Sequence, residues 1–320
     1  MSNYIESTDY IFNTRVYQKI DINNNENLES IANESVKLMR FFEKTLSFYD
    51  SESDVSRINN NAGKSFVNVS QYTFDIIKAS IEYSKLTDGI FDITIAPFIK
   101  KWGINTKTPN VLNSSEVEES IHLVNYENIL IDEKSTSVML AKEKMQIDLG
   151  GIAKGYIADK IIEFYKSKNI KNAIINIGGN VKCLGRRNID ESWNIGILEP
   201  QKHSTKYVCC VTLNNESLVT SGGYERAFIY NKKLFHHILN PVTGFPANTD
   251  LKSISIIHHD SLHADGLSTP LFIMGKYKAA EFMKTHNISG IMITDNDEII
   301  LSENLIDRFQ LTAEYPVLSF

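Results

Sequence analysis

Cysteine is scarce in this 320-residue chain: only Cys183, Cys209 and Cys210 are present. An odd count, with two of the three adjacent in YVCCVTL, forms no disulfide framework, and no CxxC pair offers a zinc site. Neighbours in a strand point to opposite faces, so the three thiols read as small buried hydrophobes. Seven prolines and 16 glycines exclude collagen-like and mucin-like classes. No apolar run reaches the length of a membrane span. The N-terminus, MSNYIESTDYIFNTRVYQKI, lacks a basic n-region, an apolar h-region and a small-residue cleavage site. For a complete chain the expected location is therefore cytoplasmic. Positive charge is not in excess either: 33 Lys and Arg against 39 Asp and Glu give a formal net charge of -6, which argues against a nucleic-acid partner. What remains is ordinary globular composition, 42% hydrophobic and 22% charged, which excludes disorder as the main state.

Periodicity sketches the elements. Tyr10, Phe12 and Val16 alternate with polar residues over 9–20, as in a first strand. Ile31, Leu38, Met39, Phe42 and Leu46 recur at helical spacing over 29–48. SFYDSESDVSRINNNAG reads as a long loop with short helical turns, and a second helix covers 70–87 with Gly89 as its C′ residue. A short helix is expected at 114–122 and a hairpin at 127–132 with 137–141. IDLGGIAKGYIADKIIEFYKSKN reads as strand end, glycine turn and helix, followed by a buried strand, NAIINIGG. Further strands are expected at 192–198, 206–213, 225–231 and 253–258. HADGLSTPLFIMG and KYKAAEFMKTH read as helices, and 289–294 with 297–301 as a hairpin. No linker or repeat divides the chain. The expectation is α+β: a single large domain over 1–320, built on a mostly antiparallel sheet flanked by helices.

Five segments carry chemistry. In Asp148-Leu149-Gly150-Gly151-Ile152-Ala153-Lys154-Gly155, a strand delivers Asp148, two glycines permit close backbone approach, and a helix begins with Lys154 in its first turn. That suits a pyrophosphate, although an ordinary strand–turn–helix joint has the same outline. In Ala264-Asp265-Gly266-Leu267-Ser268-Thr269, helical spacing puts Asp265 and Thr269 on one face as hard oxygen donors, a set that fits magnesium; Asp265 as a helix-start anion is the alternative. His236-His237 runs into Asn240-Pro241-Val242-Thr243-Gly244. One imidazole can face a site, and its ordinary near-neutral pKa would suit a general base. DGIFDITIAPF, followed by Lys101-Trp102-Gly103, sets aromatics beside a special backbone able to hold a planar ring, or simply caps a helix. Thr220-Ser221-Gly222-Gly223-Tyr224-Glu225-Arg226 reads as a small-residue turn before a strand.

Taken in order, SFYDSESDVSRIN, DGIFDITIAPFIKKWG, IDLGGIAKGYIADK, NIGGNVKCLG, SLVTSGGYERAF, HHILNPVTGFP and ADGLSTPLFIMG resemble the ApbE-type flavin transferases, within a motif-bearing region of about 9–303. The resemblance implies the ApbE-like, T-fold-related architecture, Mg2+, and FAD as substrate. It also implies transfer of the FMN moiety to a Thr or Ser hydroxyl of a target flavoprotein, with release of AMP. Carried onto this chain, it implies flavin-nucleotide contacts at Phe12, Tyr49, Ile90, Phe91, Asp92, Asp148, Lys154, Thr220, Ser221, His237 and Leu239. Metal ligands are implied at Gly151 (through its carbonyl), Asp265 and Thr269, with Ser268 beside them. Catalytic roles fall to His237, Lys154 and Asp265. Asn240 stands where the family usually has Asp, Gly223 where Asp is frequent, and Ile93 and Ala96 where Pro and Gly are common. The same residues leave two alternatives open: an FAD pyrophosphatase yielding FMN and AMP, and a non-catalytic FAD-binding protein.

Overall fold

The computed structural model describes residues 4–21, 27–104, 106–187 and 191–320. In chain order the N-terminal third holds β1 (Tyr4–Ile11), β2 (Thr14–Asp21), α1 (Leu28–Leu46), α2 (Asp54–Asn60), β3 (Val67–Asn68), α3 (Gln71–Leu86) and α4 (Ala96–Trp102). Then come α5 (Ser114–Ile121), β4 (Ile129–Asp132), β5 (Ser137–Leu140), α6 (Ala153–Ser167), β6 (Ala173–Ile177), β7 (Asn180–Leu184), β8 (Trp193–Leu198) and β9 (Tyr207–Leu213). The remainder is β10 (Ser217–Gly222), β11 (Ala227–Tyr230), β12 (Lys233–His236), β13 (Leu251–His258), α7 (Ser261–Met274), α8 (Lys276–Thr285), β14 (Ser289–Thr294), β15 (Ile299–Leu301), β16 (Phe309–Leu311) and β17 (Val317–Ser319).

A nine-stranded sheet in the order β1-β2-β6-β7-β10-β13-β14-β15-β17 forms the frame. Every pairing in it is antiparallel except β15 with β17. The α+β expectation with a mostly antiparallel sheet is met. Strand alternation assigns the two faces. Ala173, Ile175 and Ile177 of β6 bury against α1 and α6, whereas Ile174 between them joins the core under the three-stranded sheet β16-β9-β8. In β13, Ile254 and Ile256 pack on α7 while Ile257 faces the opposite way. Cys183 and Cys209 are buried and Cys210 is only partly so, as alternation requires. All three thiols are free. Among the described residues no helix is long and apolar enough to cross a membrane.

Several local expectations are corrected. The single strand over 9–20 is a hairpin, because Phe12 and Asn13 take positive φ (57° and 54°) and turn the chain between β1 and β2. The polar stretch after α1, by contrast, holds the expected short helical turns as α2, started by the Ser53 side chain accepting from the Ser56 N–H. The residue just past the C-cap of α3 is Asp88 (φ 50°), with Gly89 (φ 76°) one position later, so Gly89 is not C′. Thr220 to Gly222 belong to strand β10 rather than to a turn.

Candidate active site

The frame brings the N-terminus of α6 against the middle of α7. No side chain caps α6 at Ile152; the Ala153 N–H bonds the Leu149 carbonyl at 2.8 Å, and the N–H groups after it need other partners. Asp265, the fifth residue of α7, supplies one: its Oδ2 accepts from the Gly155 N–H at 2.7 Å. Glycine is needed there, because a Cβ would sit 2.7 Å from the Asp265 Cβ and closer still to the Ser261 carbonyl. Asp265 thus serves the start of a neighbouring helix; its own helix is capped by Asp260. The Asp265 side chain is 4% exposed, and burial pushes its carboxyl above the usual range. Lys154, with Nζ 4.0 Å from Oδ1, works in the other direction, as does the Gly155 N–H. Lys154 also donates to the Gly150 carbonyl at 3.0 Å, folding back over the glycine turn.

One turn along α7, Ser268 and Thr269 point at the end of β10, where the Ser221 hydroxyl lies 2.9 Å from the Ser268 Oγ and 3.3 Å from the Thr269 Oγ1. Asp265, Ser268 and Thr269 therefore share one helix with the expected spacing. Gly151 lies in the turn opening α6, with the Phe91 ring beside it. Asp148 holds that turn through its Oδ1, which accepts from the Gly150 N–H at 2.7 Å. Burial raises its carboxyl pKa, while Gly150, Lys154 and Arg226 oppose the shift.

His237 follows β12 at a bend. Its N–H donates to the Arg226 carbonyl at 3.0 Å, and its Nδ1 lies 3.3 Å from the same oxygen. A carbonyl can only accept, so this contact puts the imidazole proton on Nδ1 and leaves Nε2 as a lone pair. The expectation of an ordinary near-neutral pKa is corrected: burial, then the positive charge of Arg226, pushes His237 down to about 3. His236 turns the other way. Its Nε2 meets the Ala247 carbonyl at 3.1 Å, its ring packs edge-on to Phe272, and its buried Nδ1 has no partner. The loop beyond is pinned by the Trp102 indole N–H, which donates to the Gly244 carbonyl at 2.8 Å. Asn240 keeps the turn an aspartate would make, its Oδ1 accepting from the Val242 N–H at 2.9 Å. At Gly223, a Cβ would meet the His236 ring at 2.7 Å, so His236 leaves no room for a side chain.

The remaining expected residues fall around this centre unevenly. Tyr49 is 79% exposed, and its hydroxyl feels Asp148 and Arg226. Phe91 is buried, with Ile90 partly so. Asp92 is buried with both oxygens engaged, Oδ1 by the Thr94 N–H and hydroxyl and Oδ2 by the Tyr126 N–H, so it anchors the loop. Thr220 points to Ser255, 2.8 Å away, and Leu239 packs among Phe98, Trp102 and Phe235. Phe12 sits in the β1–β2 turn, its N–H held by Glu43 at 2.6 Å. That turn adjoins the β6–β7 turn at the same sheet end as Ser221.

Two residues near the centre had been given no role. Arg226 was visible only as the end of a small-residue segment. The hairpin register, in which Ala227 faces His236, would have placed it opposite His237. Asn180, buried at the start of β7, accepts from the Ser261 hydroxyl at 2.8 Å. Its amide nitrogen has no other partner and lies close enough to favour the charged form of Asp265. Nothing in the local pattern of NIGGNV marks it.

The profile of the ApbE family matches residues 10–292. A protein of Klebsiella pneumoniae named FAD:protein FMN transferase is 35% identical over 292 residues, covering 91% of this chain and 90% of that protein. One of the same name from Treponema pallidum is 29% identical, covering 86% and 80%. The crystal structure of the ApbE protein of Thermotoga maritima superposes with a TM-score of 0.89 at 32% identity, covering 95% of this chain and 99% of that one.

Proposed function

Since the chain belongs to the ApbE family, we propose that it is an FAD:protein FMN transferase. In this reading it moves the FMN moiety of FAD onto a Thr or Ser hydroxyl of a target flavoprotein and releases AMP. What supports the reading is Lys154 beside Asp265 at the start of α6, the Ser221–Ser268–Thr269 hydroxyls one turn along α7, and His237 within the electrostatic reach of Lys154. A glycine turn and a lysine beside the positive end of a helix are suited to a diphosphate, with the Ala153 and Gly155 N–H groups already taken by Leu149 and Asp265. Asp148 fixes that turn and Phe91 backs it.

The donor set also fits a hard divalent cation. Among the described residues no group of three His, Cys, Asp or Glu is arranged for a metal, so a soft or imidazole-rich centre has no ligands here. What the site offers is one buried carboxylate, incompletely neutralised, beside neutral oxygens. Magnesium accepts such a set because it keeps waters and takes phosphate oxygens. Asp265, Thr269 and the Gly151 carbonyl would hold it, with Ser268 supporting. Bound there, it would supply neutralisation of charge on the phosphoryl oxygens.

The chain's own groups account for the rest. The acceptor hydroxyl oxygen forms a bond to the FMN-side phosphorus, the bond from that phosphorus to the AMP oxygen breaks, and the hydroxyl proton passes to His237 Nε2. Lys154 and the positive end of α6 would oppose the charge that develops. Held down to about 3, His237 is neutral across ordinary pH but a weak base, and a bound diphosphate would raise its basicity towards what the transfer needs by offsetting Arg226. The test is incubation with FAD, Mg2+ and a flavin-free acceptor, followed by a denaturing gel: fluorescence travelling with the acceptor is expected. Free FMN and AMP with a dark acceptor would instead indicate a pyrophosphatase, and intact FAD a binding protein.

A further inference from the structure

The hairpin β11–β12 stands apart from the frame and pairs with no third strand among the described residues. Its inner face is fixed: Phe228 and Phe235 stack at 5.4 Å, and Phe235 lies 5.6 Å from Trp102. Its other face offers Ile229 and Leu234, which are register partners, yet 73% and 52% exposed. A directly opposed pair forms one continuous apolar spot. The turn carries Lys232, and the exposed pair Tyr230 and Lys233 next to it lies on the side of the stacked rings, with Lys233 Nζ 5.5 Å from the Phe235 ring.

We propose that this ribbon is the docking surface for the acceptor protein, which lays an extended, acidic segment along it and so delivers its hydroxyl to His237. The proposal rests on the transfer reading above. Three observations support it. First, the ribbon grows directly from the base: past the last pair, Ala227 with His236, the His237 N–H bonds to the Arg226 carbonyl. At ~3.3 Å per residue, Ile229 and Leu234 stand within about 10 Å of the His237 backbone. A short bound segment therefore spans both. Second, the charge is of one sign. Arg226, Lys232 and Lys233 face a lone Glu225 in the stretch 225–237, within a chain of net charge -6. An acidic segment is attracted here and repelled by much of the remaining surface. Third, unpaired strand edges on a pre-ordered ribbon offer main-chain hydrogen bonds to an added strand, with Ile229 and Leu234 as the apolar grip.

The experiment uses the full chain and, as probe, a purified flavin-free acceptor domain carrying its target threonine. Two variants are compared with wild type: Ile229→Ser/Leu234→Ser and Lys232→Glu/Lys233→Glu. None of these residues is among those assigned to FAD above, so FAD affinity and melting temperature serve as controls for folding. The expected result is an acceptor KM raised about tenfold or more in each variant with the controls unchanged. In wild type, but not in the lysine variant, that KM should also climb with added salt. Normal acceptor KM in both variants would overturn the docking proposal and leave the transfer reading standing. An acceptor left unlabelled by wild type, with FAD still cleaved or bound, would overturn the transfer reading and the docking proposal with it. Loss of FAD binding in the variants would assign the ribbon to the FAD site and contradict the proposal.

Discussion

Replacing Asp265 by asparagine separates the needs of the fold from the needs of the site. The carboxylate is 4% exposed, and burial holds its pKa above the usual range, so in the ligand-free protein its charge is a net cost. Three groups compensate: Lys154 at 4.0 Å, the Gly155 N–H at 2.7 Å and the Asn180 amide. The lysine is partly solvated, so its contribution is screened. An asparagine oxygen retains the Gly155 bond and removes the buried charge, and Lys154 is free to reach solvent. Neutralising an under-compensated buried carboxylate is worth up to roughly 1–3 kcal/mol once the lysine left behind regains water; a lysine that stayed buried would reverse the sign. At roughly 2–4 °C per kcal/mol for a chain of this class, Asp265→Asn should melt a few degrees above wild type in EDTA. Magnesium reverses the order. At about 100 times its Kd a ligand adds ~2.7 kcal/mol to the form that binds it, and only wild type should gain it. Thermal melts of both proteins with and without Mg2+ read all four corners. A variant that melts below wild type in EDTA, or that keeps the full magnesium shift, would refute the picture of Asp265 as a poised, under-neutralised ligand.

His237→Asn should keep FAD bound and slow transfer by about 10²–10⁴-fold at saturating FAD, measured by single-turnover labelling. Because its folded pKa, about 3, lies below the unfolded value, the unfolded chain holds this proton more readily below pH ~6.5. The stability it contributes is lost as pH falls from there towards 3, so His237→Asn should flatten part of the acid limb in denaturant titrations between pH 6 and 4; an unchanged limb would contradict this. Lys154→Ala should weaken FAD by roughly 1–3 kcal/mol and FMN by less, since FMN lacks the diphosphate; calorimetry giving equal losses would move Lys154 away from that group. Gly155→Ala, whose Cβ meets Ser261 and Asp265, should cost about 1–3 kcal/mol in urea melts and weaken Mg2+ binding as α6 and α7 separate.

The sequence was most legible where one residue type has one physical use. The spacing of Asp265 and Thr269 shows through because a helix period alone puts them on one face, and α7 is a helix. The glycines before α6 are less telling, since a Cβ at Gly150 meets only the Asp148 side chain and one at Gly151 only the Phe91 ring at 3.6 Å; the close approach is at Gly155, against the Ser261 carbonyl. The first strand was misread because alternation continues through Phe12 and Asn13; only their positive φ, with no glycine to announce it, makes the hairpin. The near-neutral pKa expected of His237 failed because its two causes, burial and then Arg226, which reaches it through hairpin register, arise only in the folded chain. Asn180 stayed hidden because its partners, Ser261 and Asp265, are some eighty residues away in sequence and meet it only through tertiary packing.

The most direct measurement is intact mass spectrometry of a flavin-free acceptor incubated with the protein, FAD and Mg2+, with AMP quantified in the same tube. The expected result is an acceptor heavier by one FMN, localised to a Thr or Ser, with one AMP released for each acceptor modified. AMP and free FMN accumulating in equal amounts beside an acceptor of unchanged mass would contradict transfer.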